Sequence, residues 1–231
     1  MTRTGFHLPI CLFVAVGILA GCTNSRQDAN ALTLARTFWE SFQSSRRDPV
    51  PPDPALVNAT VKSALASTDE PLALLSFDVN KSVALLRQIE TNGPYRTWAT
   101  YGSSERRSIT TRGGVVTATR GLGFDLMSSS VGGLLEMVTQ LEDGIAQQVL
   151  RYLDGENVVT EIEAYCAFTP GETETYSRGA LRQQATRVDV FCKTETGRFS
   201  NYYLVGASGR ILEARQWLGP ELGFGLMQQL R

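Results

Sequence analysis

A chain of 231 residues with 22 basic and 23 acidic side chains has a formal net charge of −1, which gives no electrostatic footing for nucleic acid as a partner. With 42% hydrophobic and 19% charged residues, it has the composition of an ordinary globular protein, large enough for one good core or two small ones. Its one histidine is His7 and its four cysteines are Cys11, Cys22, Cys166 and Cys192, so side chains for metal binding or nucleophilic catalysis are few.

Residues 1–21 read as a signal peptide. "MTRTGFH" carries one arginine, and "LPICLFVAVGILA" is an apolar run too short to span a bilayer comfortably. "LAGC" then looks like a bacterial lipobox: Ala20 and Gly21 suit a peptidase, and Cys22 offers a thiol for a diacylglycerol thioether. The alternative is an ordinary signal peptide with an accidental cysteine. Several acyl chains on one residue hold a protein at a membrane without a transmembrane helix. Thr23 follows the cysteine instead of aspartate, which by analogy with enterobacterial sorting implies the outer membrane.

Processing at Cys22 removes Arg3, leaving 21 basic residues against 23 acidic ones, a net −2. It also removes His7, and with it Ser-His-Asp and Cys-His catalysis and every histidine-containing metal site. Cys166 and Cys192 are too few for a four-cysteine zinc site, so neither metal nor cofactor is expected.

The mature chain opens with a polar, lipid-anchored tether over 22–30. In "ALTLARTFWESFQ", Leu34, Phe38 and Phe42 recur at helical spacing, as do Leu32, Ala35 and Trp39. This predicts a short amphipathic helix, and the proline-rich connector "SSRRDPVPPDP" follows it, the two filling 31–54.

From 55 onward the chain reads as a β domain to 231. "ATVKSALA" and "PLALLSF" flank the turn "STDE", and "SVALLRQIE" precedes "TNGP". "YRTWATY", "ERRSITT" and "VVTATR" are rich in Thr, Val, Tyr and Ile and are separated by glycine and serine turns, predicting a three-strand meander. "LLEMVTQLEDGIAQQVLRYL" is split at Gly144 into a helix at 134–142 and a strand. "DGEN" is a hairpin turn, "VVTEIEAYCAF" an alternating strand, and "TPGETETYSRGA" a loop.

"TRVDVFCKT", "RFSNYYLV" and "RILEAR" form a second meander. Each meander ends in an echo, "GLGFDLM" at 121–127 and "ELGFGLM" at 221–227, identical at five of seven positions. A five-residue insert, "QWLGP", displaces the second copy. The sequence thus predicts a mainly β, antiparallel barrel-like or sandwich domain of about eleven strands, built from two similar three-strand meanders at about 95–127 and 186–227, with a short N-terminal helix. If the units are equivalent, Gly123 and Gly223 permit a bend, and Phe124 and Leu126 are buried as Phe224 and Leu226 are.

Cys166 shares a strand face with Ile162, Ala164 and Phe168, and Cys192 shares one with Val188 and Val190. Two thiols pointing inward from neighbouring strands in an oxidising periplasm predict a disulfide. Glu161 and Glu163 lie two apart on one strand, carboxylates roughly 7 Å apart, within the range of an inverting glycosidase. The plainer reading is a solvated strand face. Arg106, Arg107, Arg112 and Arg120 crowd the first meander beside Tyr95, Trp98 and Tyr101. These arginines, with Trp98 and Tyr101, are candidate glycan or partner contacts, arginine pairing with acidic groups while rings stack on sugar faces. Tyr202, Tyr203 and Trp217 repeat the pattern. The alternative is a solvated arginine face over a buried tryptophan.

The block "RTWATYGSSERRSITTRGGVVTATRGLGFDLM", with a Trp, a turn, "T-R-x-G", a short apolar strand and a closing "T-x-G-L", resembles the YjbF/GfcB lipoproteins; the lipobox and "RYLDGEN" fit as well. The resemblance spans most of the mature chain and departs from the family at 78–94 and at the acidic loop 171–176. It implies a β-barrel-like domain and an outer-membrane lipoprotein, lipid-anchored at the periplasmic face, that assists capsule or exopolysaccharide secretion. The implied partners are an outer-membrane β-barrel and a periplasmic export protein, with polysaccharide a further candidate. It carries over no catalytic residues, and a non-enzymatic accessory role is expected. The rival readings are a periplasmic glycan-modifying enzyme using carboxylates and a structural envelope lipoprotein.

Overall fold

The computed structural model describes residues 51–102, 107–153 and 158–231. The signal segment, Cys22, the tether, the helix expected near 31–42, Arg106 and the "DGEN" turn lie outside the described residues.

The described chain begins with helix α1 (Pro54–Ser67), where the sequence reading placed a strand at "ATVKSALA". The alternation there misled. Asp53 caps the helix by accepting from the Ala55 N–H through its side chain at 2.9 Å, and Pro54 occupies the first turn. An N-cap aspartate followed by proline is a helix start, whereas the sequence reading takes "DP" as the end of the connector.

Strands β1 (Leu72–Phe77), β2 (Val83–Asn92), β3 (Tyr95–Thr100), β4 (Ser108–Arg112), β5 (Val115–Arg120) and β6 (Leu126–Ser130) follow. Helix α2 (Gly132–Gln140) then precedes β7 (Gly144–Leu153), β8 (Val159–Arg178), β9 (Leu181–Lys193), β10 (Arg198–Gly206), β11 (Ile211–Trp217) and β12 (Phe224–Gln229). The expected loop "TPGETETYSRGA" is instead mostly strand: β8 runs through it with an irregularity between Pro170 and Thr173 and turns at Gly179. Proline is tolerated there because β7 has already ended, at the Gly144–Phe168 pair, so its missing N–H breaks no ladder bond on that side.

All twelve strands form one antiparallel sheet in the order β5-β4-β3-β2-β1-β12-β11-β10-β9-β8-β7-β6. Every neighbouring pair is consecutive in sequence except β1 and β12, whose register runs from Ala73–Gln229 to Phe77–Gly225. The two ends of the ladder, β5 and β6, are themselves consecutive, so the sheet curls into a nearly closed barrel with its seam between them.

Side chains fasten that seam. Arg120 Nη1 donates to the carbonyls of Thr119 and Leu126, and its Nη2 to that of Met127, while the Leu126 N–H donates to Thr119 Oγ1 at 2.9 Å.

The interior divides into two main apolar clusters. One gathers Phe168, Val188, Val190, Phe199 and Tyr203 with Leu134 and Val138 from α2; the other gathers Leu75, Leu86, Trp98, Ile109, Leu126, Leu150 and Met227. Cys166 and Cys192 stand directly opposite each other on β8 and β9, fully buried, and form a disulfide.

Both meanders are present, as β3–β5 and as β9–β11, and both use positive-φ glycines at corresponding turns, Gly114 and Gly209, then Gly123 and Gly223. Their echoes differ in burial. Phe124 is 62% exposed rather than buried, Leu126 is fully buried, and in the second copy Met227 rather than Leu226 takes the interior position. The second echo leads into a strand paired with β11, whereas the first crosses the seam, so the two segments pack by different rules.

Candidate functional site at the loop end of the barrel

The turns β1–β2, β5–β6 and β11–β12 emerge at one end of the barrel. The β5–β6 turn is "GLGFD" and is built around Asp125. One carboxylate oxygen accepts from the Thr119 hydroxyl at 2.9 Å and from the Leu122 N–H at 3.1 Å; the other accepts from the Gly121 N–H at 2.7 Å. Gly121 and Gly123 supply the positive φ values of the turn. The turn is therefore held from within, and Phe124 is left at its tip.

The β11–β12 turn takes a different route. Gly225 stands where the first copy has Asp125, and a Cβ there would lie 2.9 Å from the Leu218 side chain. The turn closes by backbone bonds, Leu218 N–H to Gly223 O at 2.8 Å and Gly223 N–H to Gly219 O at 2.9 Å. Tyr152 fixes it from the neighbouring wall by donating its hydroxyl to Leu218 O at 3.0 Å, and burial pushes that hydroxyl's pKa up, so it stays protonated. Arg215 lies 3.8 Å above the Phe224 ring and pairs with Asp78 of the β1–β2 turn at 2.6 Å. The β1–β2 and β11–β12 turns are thus cross-linked, and the β5–β6 turn, held from within, lines the same surface beside them.

Two clefts open on that surface, with Phe124 lining both. One, of about 560 Å³, includes Tyr152, Ile162, Leu218 and Leu222; the other, of about 610 Å³, includes Phe77, Val79, Ile109 and Leu122. Val79, Leu153, Val158 and Val159 add exposed apolar area around the same end. Aromatic and aliphatic side chains on stiff turns, with Glu221 and Arg107 as polar rim, suit the insertion of apolar groups from a protein partner.

Among the described residues, the sequence-predicted arginine and aromatic groove does not assemble. Trp98 is 2% exposed and donates its indole N–H to Thr111 Oγ1 at 3.0 Å, which makes it a core residue and not a surface contact. Tyr101 places its hydroxyl 3.0 Å from Ser67 Oγ at the end of α1. Arg120 is taken up by the seam, Arg112 sits at the opposite end of β4 from the turns, and Arg107 alone of the three described arginines lines a loop-end cleft. In the second meander Tyr203 is buried, Trp217 stacks on Phe199 at 4.6 Å, and Tyr202 donates to Glu213 at 2.8 Å beneath Arg187.

Glu161 and Glu163 project from one outer strand face and do not oppose each other across a cleft. Glu161 pairs with Arg151 at 2.6 Å, and Glu163 accepts from Gln147 at 3.1 Å. Among the described residues, no group of three or more His, Cys, Asp or Glu side chains is placed to hold a metal, and no helix is long and apolar enough to cross a membrane. The residues that sequence reasoning missed are Phe124 as an exposed tip and its partners Tyr152, Leu218 and Leu222. The echoed motif pointed at these turns, but as packing elements.

Residues 35–230 match the family described as group 4 capsule polysaccharide lipoprotein GfcB, YjbF. No curated protein matches the chain. Among solved structures, the hypothetical lipoprotein YmcC of Escherichia coli (K12) superposes with a TM-score of 0.65 at 14% identity, over 77% of this chain and 91% of that one, and thus shares the fold. A putative exported protein with a YmcC-like fold from Bacteroides fragilis NCTC 9343 aligns at TM-score 0.32 and 13% identity, over 70% of this chain and 93% of its own.

Proposed function

The chain belongs to the YjbF/GfcB family of group 4 capsule polysaccharide lipoproteins, and from that membership we propose that it is a lipid-anchored, non-enzymatic accessory of capsule or exopolysaccharide export at the outer membrane. Cys22 carries the lipid and holds the barrel at the periplasmic face. The loop end docks on an export protein, the first candidate being an outer-membrane β-barrel.

The observation that carries this reading is Phe124, 62% exposed on a turn fixed by Asp125 and lining two apolar clefts. Holding a large apolar side chain in water without letting the turn collapse is unfavourable for a monomer. It favours association, because little order has to be imposed on binding.

Deleting the gene and complementing it with variants tests the proposal. Wild type restores secreted polymer and co-purifies with an outer-membrane β-barrel. Cys22→Ser leaves the membrane fraction, and Phe124→Asp stays there but loses the barrel and the polymer. Unchanged polymer on deletion, or a Phe124→Asp protein that retains both, overturns it.

A further inference from the structure

The β7–β8 hairpin outruns its neighbour. Strand β8 pairs with β7 along Val159–Phe168 without interruption, but its pairing with β9 begins only at Tyr165, opposite Lys193. At Lys193 the chain leaves the sheet in a tight turn, the Thr194 N–H donating to Gly197 O at 2.9 Å. Val159–Ala164, roughly 20 Å of strand at about 3.3 Å per residue, therefore has one edge with no ladder partner among the described residues.

The register fixes which groups line that edge. Cys166 and Cys192 have Cα atoms 4.0 Å apart, the narrow kind of antiparallel pair, whose backbone N–H and C=O groups point away from each other. Cys166 thus directs its backbone toward β7, and the alternation carries without a bulge to the end of the hairpin. Val159, Glu161 and Glu163 direct theirs to the open side. Above the β9–β10 turn lies a notch of about 710 Å³ lined by Glu161, Ile162, Glu163, Tyr165, Lys193 and Glu195, among others.

Exposed edges are commonly guarded by charged side chains. Here the two charges that would guard it line the notch but are paired sideways, Glu161 with Arg151 and Glu163 with Gln147, both on β7. The outer face of the edge and notch carries Glu161, Glu163 and Glu195 against one cation, Lys193, and the inner face is apolar at Ile162 and Ala164.

We propose that Val159–Ala164 is a strand-addition site that takes an extended peptide segment of alternating basic and aliphatic residues, seated in the sheet position that β9 vacates at Lys193. Its backbone bonds Val159, Glu161 and Glu163, its basic side chains lie beside the glutamates, and its aliphatic ones rest on Ile162. This site does not rest on the export reading, although Ile162 also lines the cleft beside Phe124.

The test uses the full-length lipoprotein in nonionic detergent and a peptide of alternating lysine and valine, with an alternating glutamate and valine peptide as control. The lysine peptide slows amide exchange at Val159, Glu161 and Glu163 by about tenfold or more, and the control does not. Glu163→Pro removes an N–H that faces the notch and none that faces β7, so the protein keeps its thermal midpoint and loses the protection. Glu163→Lys, which leaves the backbone intact, weakens the lysine peptide and favours the control. Equal binding of both peptides, binding that leaves these amides unprotected, or a Glu163→Pro protein that folds and still shows the protection overturns the proposal. Protection arising from edge-to-edge pairing of two copies overturns it too.

Discussion

Gln216 on β11 reaches across the interior and accepts the backbone N–H of Val116 on β5 through Oε1 at 2.8 Å. Both residues are buried, and they come from the two meanders. Val116 lies beside a register shift in its pairing with β4, and the glutamine side chain supplies the acceptor for its amide. The bond ties one wall of the sheet to the other.

Replacing Gln216 with leucine keeps the volume but leaves the Val116 amide buried without that acceptor. The expected loss is about 1–3 kcal/mol of unfolding free energy, read as a lower urea midpoint at unchanged slope. An unchanged midpoint would show that another acceptor reaches Val116.

Reduction of Cys166–Cys192, or replacement of both by alanine, releases a loop spanning 26 residues of sequence. Chain entropy puts the loss at about 3 kcal/mol. Differential scanning calorimetry with and without reductant measures it. Since the pair is fully buried, the native protein should resist mild reductant until partial unfolding exposes it.

Asp125→Ala removes the acceptor of three hydrogen bonds within the β5–β6 turn. About 1–3 kcal/mol should be lost, and amide exchange at Gly121 and Leu122 should accelerate while strands far from the seam keep their protection. Uniform acceleration throughout the barrel would contradict a local role.

Trp98→Ala opens a cavity in the core and removes the donor to Thr111 Oγ1. The expected cost is about 3–5 kcal/mol, visible as a fallen thermal midpoint. A Trp98→Ala protein of normal stability with impaired polysaccharide binding would return the tryptophan to the surface role that the sequence suggested.

Where alternation of side chains decides the structure, the sequence was legible. "VVTEIEAYCAF" and "TRVDVFCKT" gave their faces correctly, and with them the disulfide, because a strand with one buried side has only one register that keeps its apolar residues inside. That the strands must close into a barrel or stack as a sandwich followed from their number. Four things were hidden. The helix α1 was masked because "ATVKSALA" satisfies both periods, and Asp53–Pro54, which decides between them, looked like a linker. The long β8 was masked by Pro170, harmless only because β7 stops short. The insert "QWLGP" looked like an irregularity in a repeat, yet Gln216 bonds the far wall, Trp217 stacks on Phe199, and Gly219 makes room for the Tyr152 ring 2.9 Å from where its Cβ would be. Such uses depend on contacts between distant segments, and no local pattern encodes them. Phe124 was assigned to the interior by analogy with Phe224, and the one-residue difference between Asp125 and Gly225 separates the two.

The pairing of β1 with β12 makes time part of this architecture. As the chain emerges N-terminus first into the compartment where it folds, β1 finds β2 at once, but its other edge waits for the last strand of the barrel to arrive. Until then the growing sheet has an exposed flank on the very strand that carries Leu75 and Phe77 into the core. Contacts of such long sequence separation are slow to form and leave apolar surface and open edges at risk meanwhile. A protein arrested anywhere before Phe224 is therefore an open sheet, recognisable to quality control by its sticky rim, and the closing of the cylinder serves as a receipt that every strand has arrived.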